Sequence, residues 1–199
     1  MLFERGEIMR IVRRLFLLFL LLVIALIVAV IVYIRPDKAL DMSYEPVDMK
    51  VKVWNMVKTK VPEIELTGEE LNNLAKKKMV EILDTTKTSV EVTGADFIIH
   101  GDEVEAKLNG KWGMLPFGVT LFFHMESSGS NLILEHISTQ IKQVTIPNSM
   151  WSLEPITFSL KEHIPNIVDI DQVDFKTEGI NLTFKIDWSL IPQFLLDFK

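Results

Sequence analysis

The hydrophobic pattern is strongest near the start of the chain. Residues 15–34 are twenty consecutive positions that are all apolar apart from the hydroxyl of Tyr33, and seventeen of them are Leu, Ile, Val or Phe. No polar stripe recurs at helical spacing, as it would in the helix of a soluble domain. A helix of this length measures about 30 Å, the thickness of the hydrocarbon core of a bilayer. The pattern therefore predicts a transmembrane anchor that includes Leu15, Leu20, Leu26 and Ile34.

A cleavable signal peptide is the alternative to a retained anchor. Signal peptides have an apolar region of about 7–15 residues followed by small residues at the cleavage site. Here the apolar run is longer and ends in the bulky or charged residues 30–35. We therefore expect the anchor to be retained.

The arrangement of basic residues predicts the orientation of the anchor. Four basic residues precede the span and four follow it within the next eighteen positions, but three arginines fall within the five residues before it. Cytoplasmic flanks are enriched in Lys and Arg. We expect residues 1–14 to form a cytoplasmic tail, residues 35–50, with two prolines, to form a linker, and residues 51–199 to form an extracellular domain.

Beyond the linker the apolar period changes between that of a helix and that of a strand. Residues 49–53 alternate apolar and lysine side chains, which favours a strand. Thr67 and Glu70 form a capping box at the start of an amphipathic helix that continues to about residue 84. From residue 90 onward, two-residue alternation is interrupted by turns near Gly101, at 127–131 and at Gly179. The predicted fold class is α+β, with one antiparallel meander sheet covered by a few helices.

Composition excludes several kinds of protein. Residues 35–199 carry 17 Lys and Arg against 25 Asp and Glu, a net charge of −8, which disfavours nucleic-acid binding. The chain has no cysteine, so disulfides, thiolate zinc sites and cysteine nucleophiles are excluded. The lipid bilayer is the partner that the sequence predicts, with an envelope lipid or protein as a further one.

No motif predicts an enzyme. The serines at 127, 128 and 130 lack the G-x-S-x-G context, and the glycines at 110, 113 and 118 fit no nucleotide-binding pattern. His124 and His136 could face each other across a hairpin, but a metal site would need a third ligand such as Glu126 or Glu135. We predict no catalytic residue, no metal and no cofactor.

A surplus of large apolar side chains is the main functional indication. They lie at breaks in the strand pattern, after the sheet and in the C-terminal tail, and one of them points away from the face that its strand neighbours share. Either the tail covers this second face, or the face forms an apolar groove for a lipid or a partner. The candidate groove residues are Trp112, Met114, Phe117, Phe122, Trp151, Trp188 and Phe194.

The order of motifs resembles one known family. The segments LTGEELNNL, HGDEVEAKLNG, GVTLFFHM, SGSNLILEHIS and VTIPNSMWSL follow a single N-terminal anchor. In this order they are similar to the YpmS-like family of small bacterial membrane proteins of unknown function, over most of residues 10–187. The resemblance implies a single-pass protein of a Gram-positive-type envelope with its domain outside, and it implies no catalytic residues.

These observations favour a membrane-anchored binding or interaction module of the bacterial cell envelope that engages a lipid or another amphiphile. The alternative is a structural or assembly subunit of an envelope complex. An envelope hydrolase is the least favoured interpretation, because no convergent polar cluster is evident in the sequence.

Overall fold

The computed structural model describes residues 3–85, 90–164, 168–186 and 189. The first half of the chain contains three helices and the first strand: α1 (Phe3–Tyr33), α2 (Met49–Thr59), β1 (Glu63–Thr67) and α3 (Gly68–Thr85). The second half is formed mostly of strands: β2 (Val90–His100), β3 (Glu103–Trp112), β4 (Leu115–Ser128), β5 (Asn131–Ile141), β6 (Val144–Pro147), β7 (Ile156–Ser159), a 3₁₀ helix (Leu160–His163), β8 (Val168–Lys176) and β9 (Gly179–Ile186). The α+β fold class is confirmed.

Helix α1 contains the apolar run. Its segment Met9–Tyr33 is 25 residues long, apolar enough to cross a membrane, and not packed inside the rest of the structure. Leu15, Leu20 and Leu26 are exposed on its surface. Ile34 lies just beyond the helix but still donates its N–H to the carbonyl of Val30, at 3.0 Å.

The strands form two antiparallel sheets. The larger one has the order β2-β3-β4-β5-β6. Strand β7 pairs with the same edge of β5 as β6 does, but at the start of β5 (residues 131–134) rather than at its end (residues 138–141). The smaller one has the order β1-β9-β8. The predicted hairpin turns near Gly101, at 127–131 and at Gly179 are confirmed.

The core lies between the two sheets and the helices α2 and α3. It contains apolar side chains from both sheets and from both helices. Its most completely buried large side chains are Leu66, Ile180, Leu182 and Val53. Apolar burial of this kind is the main stabilising contribution available to a domain without disulfides.

The capping box of α3 is confirmed. The N–H of Glu70 donates to the hydroxyl of Thr67 at 3.3 Å, and the N–H of Thr67 donates to the Glu70 carboxylate at 3.0 Å. Lys52 of α2 forms an ion pair with the same carboxylate at 2.7 Å. Glu70 therefore both caps α3 and joins it to α2.

The strand predicted at residues 49–53 is wrong, because these residues begin helix α2. Met49, Val53 and Met56 are spaced four and three apart and all are buried on one side of the helix. Asp48 caps the helix by accepting the N–H of Val51 at 3.0 Å. Two of the three alternating apolar residues, Met49 and Val53, also fit one helical stripe, whereas Val51 is exposed, and tertiary packing selects the helix.

Candidate functional site

The end of the larger sheet where β3 turns into β4 contacts the C-terminal end of α1. The N–H of Gly118 in β4 donates to the carbonyl of Ile34 at 2.9 Å. We call this the near end of the sheet. The opposite end, with the turn between Ser128 and Asn131, is the far end. Strand β4 has fourteen residues and so separates the two ends by about 45 Å.

Residues 34–41, which we call the strap, cross the outer face of the near end. After the contact with Gly118 on β4, the carbonyl of Lys38 accepts a hydrogen bond from the Asn109 side chain of β3 at 2.7 Å. The carbonyl of Asp41 then accepts the N–H of Ala95 in β2 at 3.1 Å. The strap is therefore held on three neighbouring strands by its own backbone.

Two glycines allow this close approach. A Cβ atom at Gly94 would lie 2.2 Å from the carbonyl oxygen of Leu40, and one at Gly118 would lie 3.0 Å from the Cα of Pro36. The first distance is well inside van der Waals contact, so a side chain at Gly94 would displace the strap. Glycine within a strand is typical of positions where another stretch of backbone approaches closely.

Lys142, in the turn between β5 and β6, adds a second link to the end of α1. Its ammonium group contacts the Asp37 carboxylate of the strap at 2.7 Å and lies 5.8 Å from the centroid of the Tyr33 ring. The near end is thus held to the helix through both β4 and the β5–β6 turn. The position of the sheet relative to the exit of α1 is therefore defined by several contacts.

A pocket of about 420 Å³ lies between the strap and the outer face of the near end. The strap forms one wall, and residues of β2 to β5 and of the β5–β6 turn, most of them polar, form the other. Its lining includes four basic side chains, Arg35, Lys38, Lys107 and Lys142, and three acidic ones, Asp37, Asp96 and Glu105. We call it the strap pocket. Its volume lies within the range of about 300–1,000 Å³ that is typical of small-molecule sites.

The acidic side chains of the strap pocket all have partners. Asp37 pairs with Lys142, Glu105 lies 3.3 Å from Lys107, and Asp96 accepts a hydrogen bond from Asn72 at 3.0 Å. Arg35 and Lys38 form no ion pair with any residue that the structure describes. The pocket therefore carries a local excess of positive charge in a domain that is acidic as a whole.

The strap ends in a locally stabilised turn. The Asp41 carboxylate accepts hydrogen bonds from the hydroxyl and, at 2.9 Å, from the N–H of Ser43, and it lies 3.7 Å from the Lys76 ammonium. The Ser43 hydroxyl, then the Ser43 N–H and the charge of Lys76 lower the pKa of Asp41. The side chain of Asp41, whose backbone makes the last strap contact, is therefore ionised at neutral pH.

The tip of the β3–β4 hairpin, residues 112–115, presents apolar side chains to the outside of the near end. Trp112 is 66% exposed and Met114 is 96% exposed, on either side of Gly113, which has φ +60°. Leu115 pairs with Trp112 across the hairpin and is also exposed. Large apolar side chains grouped in this way are typical of interaction surfaces.

The other predicted groove residues lie in different places. Phe117 is half-buried on the inner face, where its ring lies over Gly110 of β3. Phe122 belongs to the outer face and pairs with Glu105. Trp151 packs edge-on against His136, with ring centroids 5.3 Å apart.

Trp188 and Phe194 lie outside the described residues. Among the groove candidates that are described, only Trp112 and Met114 share one turn of the chain, at the tip. The single apolar groove therefore stays a prediction.

His124 and His136 lie on opposite faces of the sheet. His136 pairs with Phe123, whereas His124 pairs with Glu135 on the other face. His136 is buried, contacts the Thr139 hydroxyl at 2.9 Å and accepts the N–H of Leu153 at 3.3 Å. The hairpin therefore does not bring these two rings together as ligands of one ion.

No pattern in the sequence predicts the strap pocket. Its walls come from an irregular segment and from polar positions on four strands, and neither has a motif. Gly94 and Gly118, within otherwise alternating strands, are the signal that could have indicated a close backbone approach. Neither glycine, however, identifies residues 34–41 as the approaching segment.

Comparison of the chain with protein-family models, curated proteins and solved structures finds no match.

Proposed function

We propose that this protein is a single-pass membrane protein whose extracytoplasmic domain binds an anionic amphiphile of the same membrane in the strap pocket. The observation that carries the proposal is the strap pocket itself, which lies directly after α1 and contains Arg35 and Lys38 without acidic partners among the described residues. In this assignment the domain is a binding module of the bacterial cell envelope.

The position of the pocket favours a ligand from the membrane over a soluble one. The strap begins at Ile34, one residue after the end of α1. A lipid headgroup in the adjacent leaflet would be confined to the same thin layer as the pocket. Such confinement raises the effective concentration of the ligand, so modest affinity suffices for occupancy.

The charges of the pocket favour an anionic headgroup. A guanidinium can bind a phosphate or carboxylate through two parallel hydrogen bonds, and an ammonium adds a compact positive charge. Arg35 and Lys38 supply one of each. The acyl chains of such a ligand would remain in the bilayer, so that the pocket has to accommodate only the headgroup.

The orientation of the protein follows from its arginines in this proposal. Arg10, Arg13 and Arg14 precede the apolar segment and would remain on the cytoplasmic side. The domain would then lie outside the cell. Because the chain has no cysteine, the domain can fold there without forming disulfides. Protease added to cells from which the wall has been removed should therefore degrade the domain and spare the N-terminal tail.

The binding proposal can be tested by lipid extraction from the full-length protein purified in a mild detergent. The double variant Arg35→Gln and Lys38→Gln removes both unpaired charges from the pocket. Lys50→Gln with Lys58→Gln is the matched control, because it removes two exposed positive charges from α2. We expect the pocket variant to retain several-fold less co-purified anionic lipid, measured by mass spectrometry, and the control to retain the wild-type amount.

A second variant tests whether the ligand needs the volume of the strap pocket, rather than its charge. Thr120 lies in its wall, so Thr120→Trp should occupy much of the cavity. Thr157→Trp, at an exposed position of β7 that pairs with β5 away from the pocket, is its control. If wild-type protein carries no anionic amphiphile, or if all four variants carry the wild-type amount, the proposal is wrong.

A further inference from the structure

The tip of the β3–β4 hairpin combines the side chains that membrane interfaces favour. Trp112, Met114 and Leu115 are exposed, and Lys111 beside them is exposed as well. Tryptophan places an apolar ring in the upper acyl layer while its N–H remains among the headgroups, and lysine reaches the lipid phosphates. The tip thus has both the apolar and the cationic component of an interfacial anchor.

The tip lies within reach of the bilayer in which α1 ends. Leu115 is three residues from Gly118, a distance of about 10 Å along the strand. Gly118 is itself hydrogen-bonded to Ile34, the residue that follows α1. The interfacial layer on each side of the hydrocarbon core is about 5–7 Å thick. The length of the tip is therefore sufficient to enter that layer.

The arrangement of the domain gives the direction in which the tip points. From Gly118 the strand β4 extends ten residues to Ser128 at the far end, where its buried side chains Phe123 and Met125 join the core. The folded body has to remain in water, so the long arm of β4 extends away from the bilayer. The short arm, which ends at the tip, is then directed toward it.

We propose that residues 111–115 insert into the interfacial layer of the leaflet from which α1 emerges and form a second membrane attachment of the domain. The occupant of this apolar surface is the bilayer itself. The proposal requires that α1 spans a membrane, but it does not require a ligand in the strap pocket. Two attachments about 10 Å or more apart would restrict tilting of the sheet and keep the strap pocket at the lipid surface.

The absence of cysteine allows a direct test on the full-length protein. Met114→Cys places a single thiol at the tip, and Ser128→Cys places one on an exposed position at the far end. Each variant is labelled with an environment-sensitive nitrobenzoxadiazole dye and reconstituted in vesicles of phosphatidylcholine and phosphatidylglycerol in equal amounts. Lipids with a spin-labelled headgroup or upper acyl chain serve as the quencher in both leaflets.

We expect the dye at position 114 to emit at shorter wavelength and to be quenched several-fold more strongly by the labelled lipids than the dye at position 128. Lys111→Glu should reduce the quenching at position 114, because it replaces attraction to lipid phosphates by repulsion. Equal, water-like emission and equally weak quenching at both positions would overturn the proposal. The Arg35→Gln and Lys38→Gln double variant should leave the quenching at position 114 unchanged, which separates this result from loss of ligand binding.

Discussion

The two ends of the larger sheet use the same alternation of apolar residues but have different surroundings. At the far end, Phe123 and Met125 of β4 are 4% exposed and lie in the core with α2, α3 and the smaller sheet. At the near end, Trp112 and Met114 are exposed, although Trp112 continues the same face of β3 as Val104 and Ala106.

The lengths of the strands explain this difference. Strand β4 has fourteen residues and β3 has ten, whereas β1, β9 and β8 of the smaller sheet have five, eight and nine. The smaller sheet is too short to pack against the whole length of β3 and β4. It therefore buries apolar side chains at the far end and leaves those at the near end exposed. The far end is thus the part whose buried side chains stabilise the fold, and the near end is the part that leaves large apolar side chains exposed.

The largest difference should appear when one aromatic residue is removed from each end. Phe123→Ala should lower the free energy of unfolding by about 3–5 kcal/mol, because it leaves a cavity in the core. Trp112→Ala should change it by no more than about 0.5 kcal/mol, as is usual for exposed positions. Urea unfolding of the full-length protein in detergent, followed by circular dichroism, measures both values. Similar losses in the two variants would show that the near end is covered as fully as the far end.

The strap gives the next largest effect. Gly94→Ala should destabilise the protein by about 1–3 kcal/mol, because its Cβ would overlap the carbonyl of Leu40 and force the strap away. The N–H of Ala95 donates to the backbone carbonyl of Asp41 in the strap. Hydrogen exchange of this amide should therefore accelerate in the Gly94→Ala variant.

Gly113→Ala is the control for the strap variant. A Cβ at Gly113 meets nothing within 4 Å, although the φ of +60° strains any side chain there. This variant should therefore lose some stability while exchange at Ala95 remains slow relative to Gly94→Ala. Unchanged exchange in the Gly94 variant would mean that the strap does not lie against β2.

A smaller effect is expected at the link between the β5–β6 turn and α1. Lys142→Met should lower the free energy of unfolding by about 0.5–1 kcal/mol, since it removes the Asp37 ion pair and the contact with the Tyr33 ring. Lys161→Met, which removes the ion pair of a more exposed lysine with Asp169, should cost less. A double-mutant cycle of Lys142 with Asp37 measures the coupling, and zero coupling would contradict the link.

The far end could be predicted from the sequence more fully than the near end. The capping box at Thr67 and the turns at Gly101 and Gly179 depend on residues a few positions apart, so their patterns are readable locally. The strap instead joins Lys38 to Asn109, which are 71 positions apart, through backbone carbonyls that carry no sequence signature. Only the glycines opposite the strap leave a trace in the sequence.

The tip of the β3–β4 hairpin can be predicted from the sequence only in part. The composition and the position of the turn predict Trp112 and Met114 as surplus apolar residues. Their separation from Phe122 and Trp151 was not visible, because it depends on strand register and on which face each residue occupies. A one-residue change of register moves a side chain to the other face of a sheet.

The smallest expected effect is the response of two carboxylates, Glu70 and Asp41, to acidification. Burial alone would raise the pKa of Glu70, but the hydrogen bonds from Lys52 and from the Thr67 N–H lower it by more, so the net change is downward. A lowered pKa in the folded state contributes stability above the ordinary glutamate pKa of about 4.3, and this contribution is lost as the pH falls through the folded value. Wild-type protein should therefore lose its stability advantage over Glu70→Gln on acidification.

The second carboxylate, Asp41, lies at the end of the strap and is 74% exposed, and the Ser43 donors that chiefly lower its pKa are only two residues away, so its protonation should affect global stability less than that of Glu70. Acidification should lower the protection factor of the Ser43 amide, which compares its exchange rate with that of an unprotected amide at the same pH, because this amide donates to the Asp41 carboxylate. The unfolding midpoint of Asp41→Asn should stay close to that of wild-type protein at every pH. Exchange measured across the acid range, with Glu70→Gln as the comparison, distinguishes the two responses. If Asp41→Asn altered the pH dependence of global unfolding as much as Glu70→Gln does, a carboxylate at the near end would stabilise the fold as much as one that joins the core helices. The division of the sheet into a stabilising end and a binding end would then have to be abandoned.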